Sequence, residues 1–334
     1  MNYKRTSLQP LLDCFVGDEL LSPTQIAQKL GKTKVIIHKY LKALVHSGKL
    51  KKVGLGTHVK YQRIDSVEAK ERIASLVLPF PQAQIIQDTF YKFADNGKLL
   101  EGVDGFAERC HVRGLDPVQK AEQFCKIKHH LETIKNDCGL LDATQAFGQH
   151  VATLFLDKAY YVDQYKWMEF GRGKLAEMTF YAKQSQNIKL INQCLDMIVL
   201  QLNCLIRTQS IDAIAITPRS ITRTNQLLHI LKSRLHSVGL PFVTLIKYFP
   251  NQIPVPQKSL KTREQRIRNA TDTIIVDDVH AKNYHRVLLI DDFVGSGSTL
   301  NITAKKLKDA GVKEVIGCAF VGNTDLNYDV INEV

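Results

Sequence analysis

No stretch of this 334-residue chain approaches the roughly 18 uninterrupted apolar residues of a membrane-spanning helix. The opening MNYKRTSLQP lacks the apolar centre of a secretory signal, so neither export nor a membrane partner is expected, and the chain is assigned to the cytoplasm. Cysteine is sparse and shows no CxxC spacing. Its seven copies, at 14, 110, 125, 138, 194, 204 and 318, fit reduced thiols better than a disulfide framework. Cys110, His111, Cys125, His129 and Cys138 could be drawn around zinc, but an adjacent Cys-His pair and irregular gaps chelate poorly, and no protein-held metal is expected. What remains, 44% hydrophobic and 23% charged, is globular composition with room for two or three domains.

Acid is missing from one long window. Between Ser22 and Arg63 there are ten Lys/Arg and no Asp or Glu, so of the net charge of +12 this window carries +10. A basic face so localised points to a polyanion, and nucleic acid is the usual one. Around it, LQPLLDCF reads as a short helix. Ser22-Pro23 caps a second, Thr24 to Leu30, that Gly31 ends. Thr33 opens a third helix through Ser47, with Ile37, Leu41 and Leu44 inward and Lys34, His38 and Lys42 recurring at i, i+4 and i+8 on another face. KLKKV and HVKYQRI, on either side of Gly54-Leu55-Gly56, read as a hairpin.

Helix, helix, recognition helix and basic hairpin together, carried by IAQKLGKTKVIIHKYLKALVHSGKLKKVG, resemble a winged helix-turn-helix domain. The resemblance implies nucleic-acid contact through Lys34, His38, Lys39, Lys42, Lys51, Lys52, Lys60 and Arg63. Lysine dominates, so phosphate contact is better supported than base readout. This domain is drawn at 1–66. Residues 67–157, with LVLPFPQ at their start and helical phrases such as AQIIQDTFYKFA and DPVQKAEQFCKIKHHLETI, are expected to form a mostly helical connector.

From 158 to 334 the chain alternates. DAIAIT, FVTLIKYF, ATDTIIV, RVLLIDD and EVIGCAFV read as strands, and NIKLINQCLDMIVLQL, TNQLLHILKSRL and GSTLNITAKKLKDAG as helices, which is the pattern of an α/β, doubly wound parallel sheet. The most informative run is HRVLLIDDFVGSGSTL: a buried strand ends in paired acids, then turns through small residues into a helix whose N-terminal amides suit a phosphate. A Walker loop would need a Lys before its Ser/Thr, and a dinucleotide fingerprint would place its acid well after the glycines.

The run closely resembles the phosphoribosyl pyrophosphate (PRPP) motif of type I phosphoribosyltransferases, with wording nearest their ComF-like branch. The resemblance implies that Asp291 meets the ribose 3'-hydroxyl, Asp292 the 2'-hydroxyl, and Gly295, Ser296, Gly297, Ser298 and Thr299 the 5'-phosphate. Gly295 stands where Thr is commonest, which removes one hydroxyl but keeps the amide. Thr217-Pro218-Arg219-Ser220, with Arg223 and the Asn225-Gln226 phrase after them, match the pyrophosphate loop. The segment 256–269 resembles the mobile loop, and its Arg263, Arg266 and Arg268 are expected to cover the diphosphate as a cationic lid. FGRGKLAEMTFYAKQSQN resembles the family's domain opening and gives Lys183 as a weaker candidate. PRPP implies magnesium, held by diphosphate and ribose oxygens.

The resemblance therefore implies a magnesium-dependent phosphoribosyltransferase, or a related ribosyl-transfer or nucleotide-cleaving enzyme, acting on PRPP or a nucleotide. Its fusion to a winged helix is similar to retron-associated effectors of antiphage defence, which implies a DNA partner, reverse-transcribed DNA with its reverse transcriptase among the options. The alternative is a PRPP-sensing transcriptional regulator without catalysis. The nucleophile, the DNA sequence preference and any oligomer are left open by the sequence.

Overall fold

The computed structural model describes every residue except 1–7, 17–18, 47–48, 55–58, 64–75, 95–96, 220, 250–258 and 325–334, and divides into two compact units, Met1–Lys128 and His129–Val334. Ser220 and residues 256–258 of the expected loops thus lie outside the described residues.

In the first unit, Ser22 and Gln25 cap each other reciprocally at 2.8 and 3.3 Å ahead of a first-turn proline, and Gly31 closes the helix in the left-handed region. The elements are α1 (Gln9–Leu12), α2 (Pro23–Leu30), α3 (Lys34–His46), β1 (Leu50–Val53) and β2 (Lys60–Arg63). β1 and β2 pair antiparallel from Leu50↔Arg63 to Val53↔Lys60, and Leu21 bridges to Tyr61 as a third, one-residue strand. Leu11, Phe15, Leu21, Ile26, Ile37, Leu41, Leu44, Leu50 and Tyr61 form one apolar cluster beneath them. The inward set read from the 3.6-residue period of α3 is the buried set.

The same unit holds α4 (Phe80–Thr89), a hairpin of β3 (Tyr91–Phe93) and β4 (Leu99–Glu101), α5 (Gly102–Arg113), and α6 (Pro117–Thr133), within which the unit boundary falls. Asp116 caps α6 through the amides of Val118 and Gln119. Phe90, Phe106 and Phe124 meet edge to face with centroids 5.2 to 5.9 Å apart. The helical phrase AQIIQDTFYKFA is half right: its helix stops at Thr89 and YKF pairs as a strand. The turn at Gly97, whose φ is +82°, sends the chain back.

The second unit is built on a six-stranded sheet. After β5 (Leu141–Asp142) and α7 (Thr144–His150) come β6 (Lys158–Gln164), α8 (Lys174–Ser185), α9 (Ile188–Asp196), α10 (Val199–Thr208), β7 (Ala213–Ile216), α11 (Leu227–Leu235), β8 (Phe242–Val243) and β9 (Leu245–Lys247). α12 (Arg263–Thr273), β10 (Ile274–Val276), β11 (Arg286–Phe293), α13 (Ser298–Asp309) and β12 (Glu314–Gly322) complete it. The strand order is β5-β6-β12-β11-β7-β8, parallel throughout except at β5; β9 and β10 form a separate antiparallel pair. Val287 to Ile290 are fully buried at the centre, as a continuous apolar run in a parallel sheet must be. The unit is therefore α/β.

Three expectations are corrected here. Cys138 and Cys204, the latter on α10, form a disulfide with Cα atoms 5.5 Å apart, so the thiols are not all free; a separation of 66 residues hides this pair from a spacing pattern. The segment expected as a loop through Asn269 is helical from Arg263, because Thr262 and Gln265 cap it reciprocally. Residues 141–150, drawn with the connector, supply β5 to the sheet and α7 beneath the site. The run Ile188–Thr208 reaches a mean hydropathy of 1.2, long and apolar enough to cross a membrane by composition, yet it is two helices whose Leu190, Ile191, Cys194, Leu195, Leu202, Leu205 and Ile206 are buried in this unit, with Ile198 buried in the turn between them.

Candidate active site

β11 ends at a cavity of about 500 Å³, and the chain then turns into α13. Lys183, Thr217, Pro218, Arg219, Arg223, Arg266, Asp291, Asp292 and the whole loop Gly295 to Thr299 line it together, so residues from four separate sequence segments converge. The turn needs glycine at 297: φ is +73°, and a Cβ there would lie 2.6 Å from Phe147 Cε1 of α7. Phe147 thus seals the back of the loop. Ser296 and Ser298 hydroxyls sit 2.9 Å apart, and Asn301 on the first turn of α13 is bound to Phe155 N and Thr153 O.

The two acids are unequal. Asp291 is 9% exposed and its Oδ1 accepts from the Thr217 hydroxyl and the Asp292 amide, each at 2.8 Å. Burial first, then the neighbouring Asp292 charge, push the Asp291 carboxyl up to about 7, against the opposing pull of Thr217, the Asp292 amide and Lys183. A strand end open to solvent would expose both acids. Only half-buried Asp292 is so placed, because successive residues of a strand face opposite sides. Lys183 Nζ reaches Asp292 Oδ1 at 2.9 Å.

The cations sort by geometry. Arg266 is buried, donates from Nε to Leu260 O at 3.0 Å, and brings Nη1 within 3.6 Å of the Cβ position of Gly295; burial holds its guanidinium below the ordinary arginine range. Arg263 and Arg268 are not among the lining residues. Arg268 is exposed, two positions beyond Arg266 on α12 and hence on the opposite helix face, whereas Arg263, three positions before Arg266, shares its face. Arg219 is exposed and Arg223 half-buried at the rim. The Asn-Gln phrase staples this loop: Asn225 Nδ2 donates to Gln186 O at 2.8 Å, and Gln226 Nε2 to Ile221 O at 2.9 Å.

Two residues lining the site and one lysine near it are faint or silent in the sequence. Lys183 is a weak candidate there, Thr217 is only part of a turn, and Lys247 carries no signal. Lys247 on β9 is held below the ordinary lysine range by burial, with the Asp291 charge opposing that shift. A lone Lys or Thr gives no period signal of its own; the β7–β11 register reveals Thr217.

A magnesium ion fits this chemistry on one condition. No cluster of three or more His, Cys, Asp or Glu able to hold a metal occurs among the described residues, and Asp292 is already engaged by Lys183. Diphosphate and ribose oxygens with water would have to supply the ligands, which is how magnesium commonly binds beside phosphates.

In the first unit Lys34, His38, Lys39, Lys42, Lys52 and Lys60 are exposed, and Lys51 is half-buried. Arg63 turns inward, with Nη1 3.4 Å from Leu12 O. Of the basic window, Lys29 is ion-paired with Glu19 at 3.2 Å, an acid just outside it.

Residues 205–330 match the family model of the phosphoribosyl transferase domain, a span that holds the 217–226 loop, α12, the Asp pair and the 295–299 turn. This supports a type I phosphoribosyltransferase domain with a phosphoribosyl-transfer or PRPP-binding function. No curated protein matches the chain.

Proposed function

We propose that the protein is a phosphoribosyltransferase-like effector that binds PRPP or a nucleotide at Asp291, Asp292 and the 295–299 turn, joined to a winged helix domain that binds nucleic acid. The observation that carries the reading is the order of parts around one cavity: buried strand, acid pair, amide-rich turn, helix N-terminus. The 5'-phosphate takes the amides and hydroxyls of 295–299 with Arg266 beside them. The ribose hydroxyls donate to Asp291 and Asp292. Diphosphate takes the 217–223 side, where Arg219 and Arg223 balance its charge. Bound magnesium would add charge neutralisation on the diphosphate.

Transfer then consists of attack by a nitrogen nucleophile on the anomeric carbon. The bond from that carbon to diphosphate breaks, its electron pair leaves on the diphosphate oxygen, and the nucleophile loses a proton to solvent. The protein's share is to hold the ribose by two acids while cations face the departing charge. A setting in retron-type antiphage defence, with reverse-transcribed DNA restraining the effector, accounts for the pairing of the two modules by analogy of architecture. We place it in the cytoplasm on the same footing.

A second reading has one observation in its favour. With Arg263 and Arg268 away from the cavity, a PRPP sensor without turnover needs nothing that is missing, and such a protein would be a regulator. Calorimetry with PRPP and magnesium, beside an assay of pyrophosphate release, separates the two. Binding abolished in Asp291→Asn/Asp292→Asn, together with pyrophosphate release by the wild type, supports the enzyme. Binding without release supports the sensor, and unchanged affinity in the folded double variant removes the site altogether.

A further inference from the structure

We propose that Thr217 is a positioning residue that fixes the Asp291 carboxylate and joins the diphosphate-side loop to the ribose-binding acid. The inference rests on the reading that Asp291 receives a ribose hydroxyl. It assigns a role to a side chain that the sugar phosphate itself does not need to touch.

Strand register places the pair. β7 and β11 run parallel with Ile216 opposite Ile290, so the next residues of the two strands, Thr217 and Asp291, emerge side by side at the carboxyl end of the sheet. The Thr217 amide still donates to Ile290 O at 3.0 Å, which anchors its backbone independently of its side chain. The hydroxyl donates to Asp291 Oδ1 at 2.8 Å, and both residues are buried, at 5% and 9% exposure. Oδ1 also takes the Asp292 amide, so that oxygen is committed to the protein and the accepting capacity left for a ligand is that of Oδ2.

The charged groups facing Asp291 are Asp292 on its own strand, Lys183 from α8 and Lys247 from β9. Burial and Asp292 favour the protonated acid; Thr217, the Asp292 amide and Lys183 favour the carboxylate. A ribose hydroxyl donates to a carboxylate, so a ligand held by Asp291 needs the ionised form. Thr217 is also the first residue of the loop that carries Arg219 and Arg223. Movement of that loop on a diphosphate therefore reaches Asp291 through one hydrogen bond.

Calorimetry of the full chain with PRPP and magnesium chloride, from pH 5.5 to 8.5, tests this. Wild-type affinity should fall as pH drops through about 7. Thr217→Val should move that midpoint upward and weaken binding at pH 7 roughly tenfold, the scale of one lost bond to a charged group. Thr217→Ser should restore both to within about twofold, since only the hydroxyl matters. In an Asp291→Asn background Thr217→Val should add no further loss. If Thr217→Val fails to melt cooperatively, Thr217→Ala removes the same hydroxyl without placing a second methyl in the buried site. A midpoint and affinity unchanged in the folded variant, or a full loss that persists in the Asp291→Asn background, overturns the proposal while wild-type binding keeps the site. Absence of PRPP binding in the wild type overturns the site and the inference with it.

Discussion

The Lys183 ammonium stands 2.9 Å from Asp292 Oδ1, tying the last turn of α8 to the end of β11 across 109 residues of sequence. Both side chains keep limited access to water, 26% and 15%. Desolvation offsets much of what such a pair gains, so removing one partner costs more than the pair contributes. Lys183→Met should lower the unfolding free energy by about 1–3 kcal/mol at pH 7.5, because Asp292 is left partly buried without its cation. Lys183→Arg should keep most of it. Urea denaturation decides, and a change under about 0.5 kcal/mol for the Met variant would show the contact to be incidental.

Asp291 makes stability depend on pH in an unusual sense for a carboxylate. Its native value, up to about 7, lies above the ordinary 3.8, so between these two the folded state binds a proton that the unfolded state has lost. By linkage, stability from this group is greatest at the acid end of that window, falls as pH rises through it, and levels off above about 8. Asp291→Asn lacks the penalty. Relative to wild type it should gain a few kcal/mol on moving from pH 5 to pH 8. Paired urea titrations at the two values measure this, and a stability difference that stays flat would sink the burial argument.

Much of the site is legible in the sequence because it is local. HRVLLIDDFVGSGSTL places strand, acids, turn and helix within sixteen residues, and each part has its own chemical signature. Arg266 is legible too, but Arg268 groups with it only while the segment is taken as a loop, which has no faces; on the helix begun by the Thr262 cap, Arg263 shares the face of Arg266 and Arg268 does not. Thr217 is legible only as the first residue of the pyrophosphate turn, because its partner Asp291 is 74 residues away and the β7–β11 register sets the two side by side; Lys247, 44 residues from Asp291, is not legible at all. Phe147 is hidden for the same reason, as an aromatic on a seven-residue helix with nothing in its surroundings to mark the turn it supports.

Phe147 and Gly297 give a test that leaves every charged residue in place. Gly297→Ala forces a Cβ to within 2.6 Å of the Phe147 ring at a φ of +73°, so both the turn and the ring must shift. Destabilisation of about 1–3 kcal/mol is expected, with a larger proportional loss of PRPP affinity because the amides of the turn leave their positions. Gly297→Ala/Phe147→Leu removes the steric half only. It should regain stability and little affinity, whereas recovery of both would mean that the ring, not the backbone conformation, holds the turn.

The first unit should bind nucleic acid chiefly through phosphates. Of the expected contacts, Lys34, Lys39 and Lys42 on α3 and Lys52 and Lys60 on the hairpin are exposed, while Lys51 is half-buried and Arg63 is engaged with Leu12. Each phosphate contact releases condensed counterions, so about four to five contacts would give a slope of log affinity against log salt of roughly −4 on duplex DNA. Lys52→Glu with Lys60→Glu should flatten that slope by about 2 and weaken all sequences alike. Neither lysine belongs to the apolar cluster under β1 and β2, so the melting temperature should hold, and PRPP binding at the second unit should be unchanged. Fluorescence anisotropy with two unrelated duplexes, each at about 50 to 300 mM salt, reads the result. Binding that ignores salt, or a loss confined to one duplex, would mean that base edges or a protein partner, and not the phosphate backbone, meet this face.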